Sequence, residues 1–207
     1  MMNPTLAFLS GTGSHVSSCV RTWLALLFIM RLFAVIITAK TVWEDDMQDL
    51  SCNSTQVGCR QQCYTELSPL SPFTLFTLQI VFLSTLSMTN FLYNRHSLRQ
   101  ARDNFIQAAN ETRWKIGFLN MLAKILTEGI FLFLQHMLYP GLLRQHRFRC
   151  DITPCEEAVV CIMLKSQQKD AFVIFMYTCS FASVLIEVIE IYSSVGKVRL
   201  SQGAYEI

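Results

Sequence analysis

The chain has 207 residues, 52% of them hydrophobic and 15% charged, with a mean hydropathy of +0.34, a mixture too apolar for an ordinary water-soluble domain. A formal net charge of +2, with no basic stripe interleaved with aromatics, sets nucleic acid aside as a partner. No serine, histidine and acid set, glycine-rich phosphate loop or two-histidine metal motif stands in the sequence, so it offers no enzyme site.

Residues 1–22 form an amino-terminal segment. Leu6, Phe8 and Leu9 could make an apolar helical face, Pro4 fits only a first turn, and Gly11 and Gly13 are expected to loosen the chain after it. Four apolar runs follow, at residues 23–39, 73–92, 116–138 and 171–192. Each is long enough to cross roughly 30 Å of hydrocarbon, which takes about 20 helical residues, so membrane lipid is an expected partner. The first run reads as a span rather than a cleaved signal, because it begins late, carries Arg31 and lacks a small-residue cleavage site. Trp23, Trp43 and Trp114 stand at run edges, as interfacial aromatics do.

Four spans leave loops at 40–72, 93–115 and 139–170 and a short tail at 193–207. The basic-residue count barely distinguishes the two sides, with eight Lys and Arg against seven. The cysteines do. Cys52, Cys59 and Cys63 lie in the first loop and Cys150, Cys155 and Cys161 in the third, while the middle loop has none. Disulfides persist outside the cytosol, so both triad-bearing loops are expected outside and both termini in the cytoplasm.

Six cysteines allow fifteen pairings. Steps of seven and four residues in the first triad face five and six in the second. Antiparallel loops match seven with six and four with five, and this wastes less chain than the parallel register. It pairs Cys52 with Cys161, Cys59 with Cys155 and Cys63 with Cys150. Zinc ligation by these cysteines with His136 or His146 competes, but no CxxC is present and the compartment is oxidising. Cys19 and Cys179 are expected to be buried free thiols.

The spacings C-x6-C-x3-C and C-x4-C-x5-C resemble the connexin family of gap-junction proteins. The resemblance extends to Trp23-Leu24-Ala25-Leu26-Leu27-Phe28-Ile29-Met30-Arg31 and to Ala39-Lys40-Thr41-Val42-Trp43-Glu44-Asp45-Asp46. It continues through Cys52-Asn53, Gly58-Cys59, Cys63-Tyr64, Pro69, Leu78-Gln79, Lys124, Glu128, Gln135 and Pro154-Cys155. Almost all of residues 20–195 is covered. The resemblance implies an all-α membrane protein: a four-transmembrane-helix bundle with two disulfide-stapled extracellular loops, assembling as a homo- or hetero-hexamer around a pore. Such a hexamer docks with the hexamer of an adjacent cell at plasma-membrane gap junctions and passes ions and small metabolites, with no cofactor and no catalysis. An undocked hemichannel and a non-conducting adhesive four-span protein are the alternatives.

Asp45, Asp46 and Asp49 would alone read as a solvated acidic loop. Repeated six times around an axis they form a carboxylate ring that attracts cations, with Lys40 a step deeper. Asp46 and Asp49 match the family's calcium-responsive positions, which makes them the expected Ca2+ ligands. Lys124 and Glu128, four apart in a span, are expected to pair with each other or to face the pore, and Arg31 to find an acid on a neighbouring helix.

The chain also departs from the family. Met1-Met2-Asn3-Pro4 replaces the usual acidic and tryptophan start, Leu86 stands where a span proline is common, and Thr74 where an arginine is. Glu44 replaces the glycine after the loop tryptophan. Asn53 and Gln56 match docking residues, whereas Glu157 and Val160 replace asparagine and aspartate in the second loop. Glu156 and Glu157 would repel their copies unless a basic partner faces them. Asn53-Ser54-Thr55 is an N-glycosylation acceptor, and Asn110-Glu111-Thr112 the same pattern in the cytoplasmic loop.

Overall fold

The structure, a computed structural model, describes residues 4–12, 16–44, 49–53, 57–67, 70–100, 106–138, 147–151, 155 and 159–203. In chain order they form helix α1 (Pro4–Ser10), helix α2 (Ser18–Thr41), strand β1 (Leu50–Cys52), helix α3 (Val57–Leu67) and helix α4 (Pro72–Gln100). There follow helix α5 (Ile106–Leu138), strands β2 (Arg147–Cys150) and β3 (Val159–Met163), and helix α6 (Ser166–Gly203). Among the described residues, four helices are long and apolar enough to cross a membrane, over Ser18–Thr41, Pro72–Ser97, Trp114–Leu138 and Ser166–Gly196.

Local chemistry sets the helix ends. Ser17 caps α2, its hydroxyl accepting the Val20 N–H at 3.3 Å, and Lys40 in the last turn complements the carbonyl end of the helix dipole. Proline opens α4, where its missing N–H would have had no intrahelical partner anyway. With leucine at position 86, α4 continues without a break. Some hydroxyls inside the spans fold back on their own helices, as Thr38 does onto the Ala34 carbonyl at 2.7 Å and Ser84 onto Ile80 at 2.7 Å, so these two are not left unpaired. Helices α5 and α6, of 33 and 38 residues, run about 50 and 57 Å at 1.5 Å per residue. Both therefore project beyond the hydrocarbon core on the side away from the cysteine loops.

Helices α4 and α6 each pack against both α2 and α5, and α1 lies on α2 and α4. Near the loop end of the bundle an aromatic core closes around Val35, Phe76, Ile80, Phe172, Val173 and Met176. Phe76 meets Phe172 edge to face at 5.5 Å and Tyr177 at 6.1 Å, arrangements favoured by the ring quadrupoles. Trp43 packs on Phe73 and Phe172, and the Lys169 ammonium lies 5.1 Å over its ring. Phe33, Ile36, Ile37, Leu126, Ile130 and Phe133 face outward, which suits lipid or a neighbouring subunit.

Outside the membrane portion the loops add a small antiparallel sheet of order β1-β3-β2. Its strands, of three to five residues, were not anticipated; the all-α description applies to the membrane bundle. Cys19 is exposed rather than buried, because it lies in the outward-facing first turn of α2, whereas Cys179 is buried.

Candidate functional site

The loop cap is built around β3. Its partner β1 aligns Cys52 with Cys161 and Leu50 with Met163, while β2 aligns Cys150 with Val159. Val159 and Cys161 point inward and Val160 and Ile162 outward, the period-two alternation of a strand with one covered face. Helix α3 lies beneath. The x3 spacing of Cys59 and Cys63 places both on one helical face, and both are buried against Leu50, Cys150, Val159 and Cys161.

The bridges join Cys52 to Cys161, Cys59 to Cys155 and Cys63 to Cys150, the antiparallel register. The Cys63, Cys150 and Cys161 sulfurs gather within 4.8 Å of one another, but as disulfides they offer no thiolate to a metal. His136 is exposed at the end of α5, and His146 lies outside the described residues.

Among the charged residues named from sequence, Lys40 is exposed at the loop end of α2. Asp45 and Asp46 lie outside the described residues, as do Gln56, Glu156 and Glu157. Asp49 is buried at the foot of β1, its carboxylate 3.3 Å from Lys165 Nζ and its carbonyl accepting the Leu164 N–H at 2.9 Å. The pairing joins the start of the sheet to the turn that leads into α6. Asn53 is exposed just past β1, with its backbone N–H on the Val160 carbonyl at 3.1 Å.

A second polar site lies inside the bundle. Arg31 on α2 donates to Glu128 Oε1 on α5 at 2.5 Å and to Ser183 Oγ on α6 at 3.2 Å. Gln79 on α4 donates to the other Glu128 oxygen and, at 3.2 Å, to Ser180 on α6. One carboxylate and its two donors thus tie four helices. The expected pairing of Lys124 with Glu128 is not made: both Glu128 oxygens are engaged by Arg31 and Gln79, and Lys124 Nζ instead donates to the Ser10 carbonyl at 2.7 Å. The i,i+4 rule sees only one helix, and cross-helix partners win here.

Lys124 belongs to an anchor for the amino-terminal segment. Asn90 and Asn120 both donate to the Gly11 carbonyl, at 3.0 and 2.8 Å, so three side chains satisfy two carbonyls at the end of α1. Gly11 has φ +56, a left-handed conformation that closes a helix, and a Cβ there would strike Ser87 and the Lys124 ammonium. The glycine expected to loosen the segment therefore fixes it. Leu9, Ser10, Arg31, Lys124, Glu128 and Glu187 line a cavity of about 30 Å³ at this junction, room for no more than a couple of waters. On the same side Glu190 accepts the Ser17 N–H at 3.3 Å, and Arg21 donates to the Val16 carbonyl at 3.0 Å.

Sequence reasoning assigned no role to Asn90, Asn120 or Ser183. Their signal was available: polar side chains within apolar runs need partners in the bundle.

A family model described as Connexin matches residues 4–116 and 100–196, nearly the whole chain. The chain belongs to the connexin family. As a connexin it is a multi-pass membrane protein and a gap-junction-type channel subunit that works in an oligomer, in a family of channels rather than enzymes. The connexin match begins at residue 4, so it takes in α1 and the Gly11 anchor as well as the spans.

Proposed function

We propose that six copies of this chain, alone or mixed with like subunits, surround a pore in the plasma membrane and pass ions and small metabolites to an adjacent cell through a docked second hexamer. The three bridges between the first and third loops carry this reading, because they make the stiff, folded cap that end-to-end docking needs. Termini lie in the cytoplasm and the disulfide cap outside. The proposed boundaries are spans at 23–39, 73–92, 116–138 and 171–192.

Lys40, Asp45, Asp46 and Asp49 line the outer mouth in this reading, and Asp46 with Asp49 bind Ca2+ that closes the undocked channel. Asp49 is already committed to Lys165, so calcium competes with that ammonium. The docking set is Asn53, Gln56 and Glu157. Dye transfer between paired cells, set beside dye uptake by single cells in low calcium, tests the reading. Transfer with calcium-sensitive uptake supports it; neither signal from protein at the surface overturns it in favour of an adhesive role. Neutralising Asp46 and Asp49 together should weaken calcium block, and Lys165→Gln should strengthen it.

A further inference from the structure

We infer that Asn53 is an acceptor for an N-linked glycan, and that a cap carrying it cannot dock, so that glycan occupancy divides the protein between undocked hemichannels and the docked channels proposed above. The inference rests on the extracellular placement of the loops proposed above. Asn53-Ser54-Thr55 has the acceptor form, with no proline at its centre. Asn53 is exposed, and only its backbone is tied into the sheet, through Val160. Its amide is therefore presented to solvent from a fixed point.

The neighbouring Cys52 does not protect it. Cys52, Cys59 and Cys63 all pair with cysteines of the third loop, and Cys161 lies 109 residues beyond Cys52. At about 5–20 residues per second of synthesis, roughly 5–20 s pass between the two. Through that interval the native partners of the first loop do not yet exist. The acceptor is then in open chain when it enters the oxidising compartment.

The reaction is a glycosyl transfer from a lipid pyrophosphate-linked oligosaccharide. Asn53 Nδ2 bonds to the anomeric carbon of the first sugar and loses a proton, the bond from that carbon to the pyrophosphate oxygen breaks, and the lipid pyrophosphate leaves. In the folded cap the glycan stands beside the outward face of β3, where Val160 and Ile162 are 42% and 39% exposed. That face would meet the opposing hexamer, and a branched, hydrated sugar on each glycosylated subunit holds it away.

The test expresses the full chain in cells and treats it with peptide N-glycosidase. The expected result is a one-glycan mobility shift lost in Thr55→Ala and kept in Ser54→Ala, together with dye uptake and less dye transfer than Thr55→Ala gives. Thr55→Ala leaves Asn53 in place, so it should keep the uptake and gain dye transfer. Absence of a shift, or a glycosylated protein that transfers dye as well as Thr55→Ala does, overturns the inference. A shift lost in Thr112→Ala instead places Asn110 outside the cytosol and so overturns the orientation beneath it. A carboxyl-terminal epitope reached by antibody only after permeabilisation fixes that orientation separately.

Discussion

Arg31 and Glu128 are each about 3% exposed in their side chains and lie on helices 97 residues apart in sequence. Replacing Glu128 with methionine leaves the Arg31 guanidinium buried with only Ser183 as a hydrogen-bond acceptor from the present set, and takes from Gln79 its charged partner. Breaking a buried pair from one side costs about 3–5 kcal/mol. Arg31→Met should cost a similar amount, since it strands the carboxylate. Replacing both residues with methionine removes both charges together. The remaining cost is the orphaned Gln79 amide, about 1–3 kcal/mol, and Gln79→Leu added to the double variant should recover part of it. The double variant should thus lose several kcal/mol less than the sum of the singles, far outside the roughly 0.3–0.5 kcal/mol within which independent sites add. Thermal unfolding of detergent-solubilised protein, followed by size-exclusion fluorescence, provides the assay. With about 2–4 °C per kcal/mol for a chain of this size, each single variant should fall by roughly 6–20 °C and the double by much less. A double variant that loses the sum of the two singles would refute the four-helix tie.

Two further substitutions test the anchor and the cap. Gly11→Ala forces a side chain into the left-handed region, at about 1–2 kcal/mol, and into Ser87 and Lys124. It should release α1, as should Lys124→Met, and raise thiol labelling of a Leu6→Cys reporter; unchanged labelling in both would refute the anchor. Removing the middle bridge with Cys59→Ser and Cys155→Ser opens a ring of about nine residues nested between the other two, which the chain-entropy model values at roughly 2–3 kcal/mol. The double variant should keep its surface expression and lose thermal stability, and should be less impaired than either single, which leaves an unpaired thiol.

The spans and the cap register could be read from sequence because they depend on run length and on spacing along one chain. Glu128 shows where that ends. Its helical neighbour at i−4 is visible in the sequence, while Arg31 and Gln79 come from helices that only the packed bundle brings near. The sheet was hidden for a different reason: three to five residues are too few to establish a period, although the β-branched run at Val159, Val160 and Ile162 carried a weak signal. Gly11 was misread because glycine permits both a loose chain and a sharp, fixed turn. The difference lay with Asn90, Asn120 and Lys124, each far away in sequence.

Every bridge crosses from the α2–α4 hairpin to the α5–α6 hairpin, and none closes within one loop. Mechanically the cap is a weld at one end of two levers. A tilt of either hairpin has its pivot at the cap and its largest travel at the far ends of α5 and α6, where no disulfide joins the described residues. The Gly11 anchor sits in that freer half, so the widest motion falls where the amino-terminal segment is held by hydrogen bonds and ring packing rather than by a disulfide.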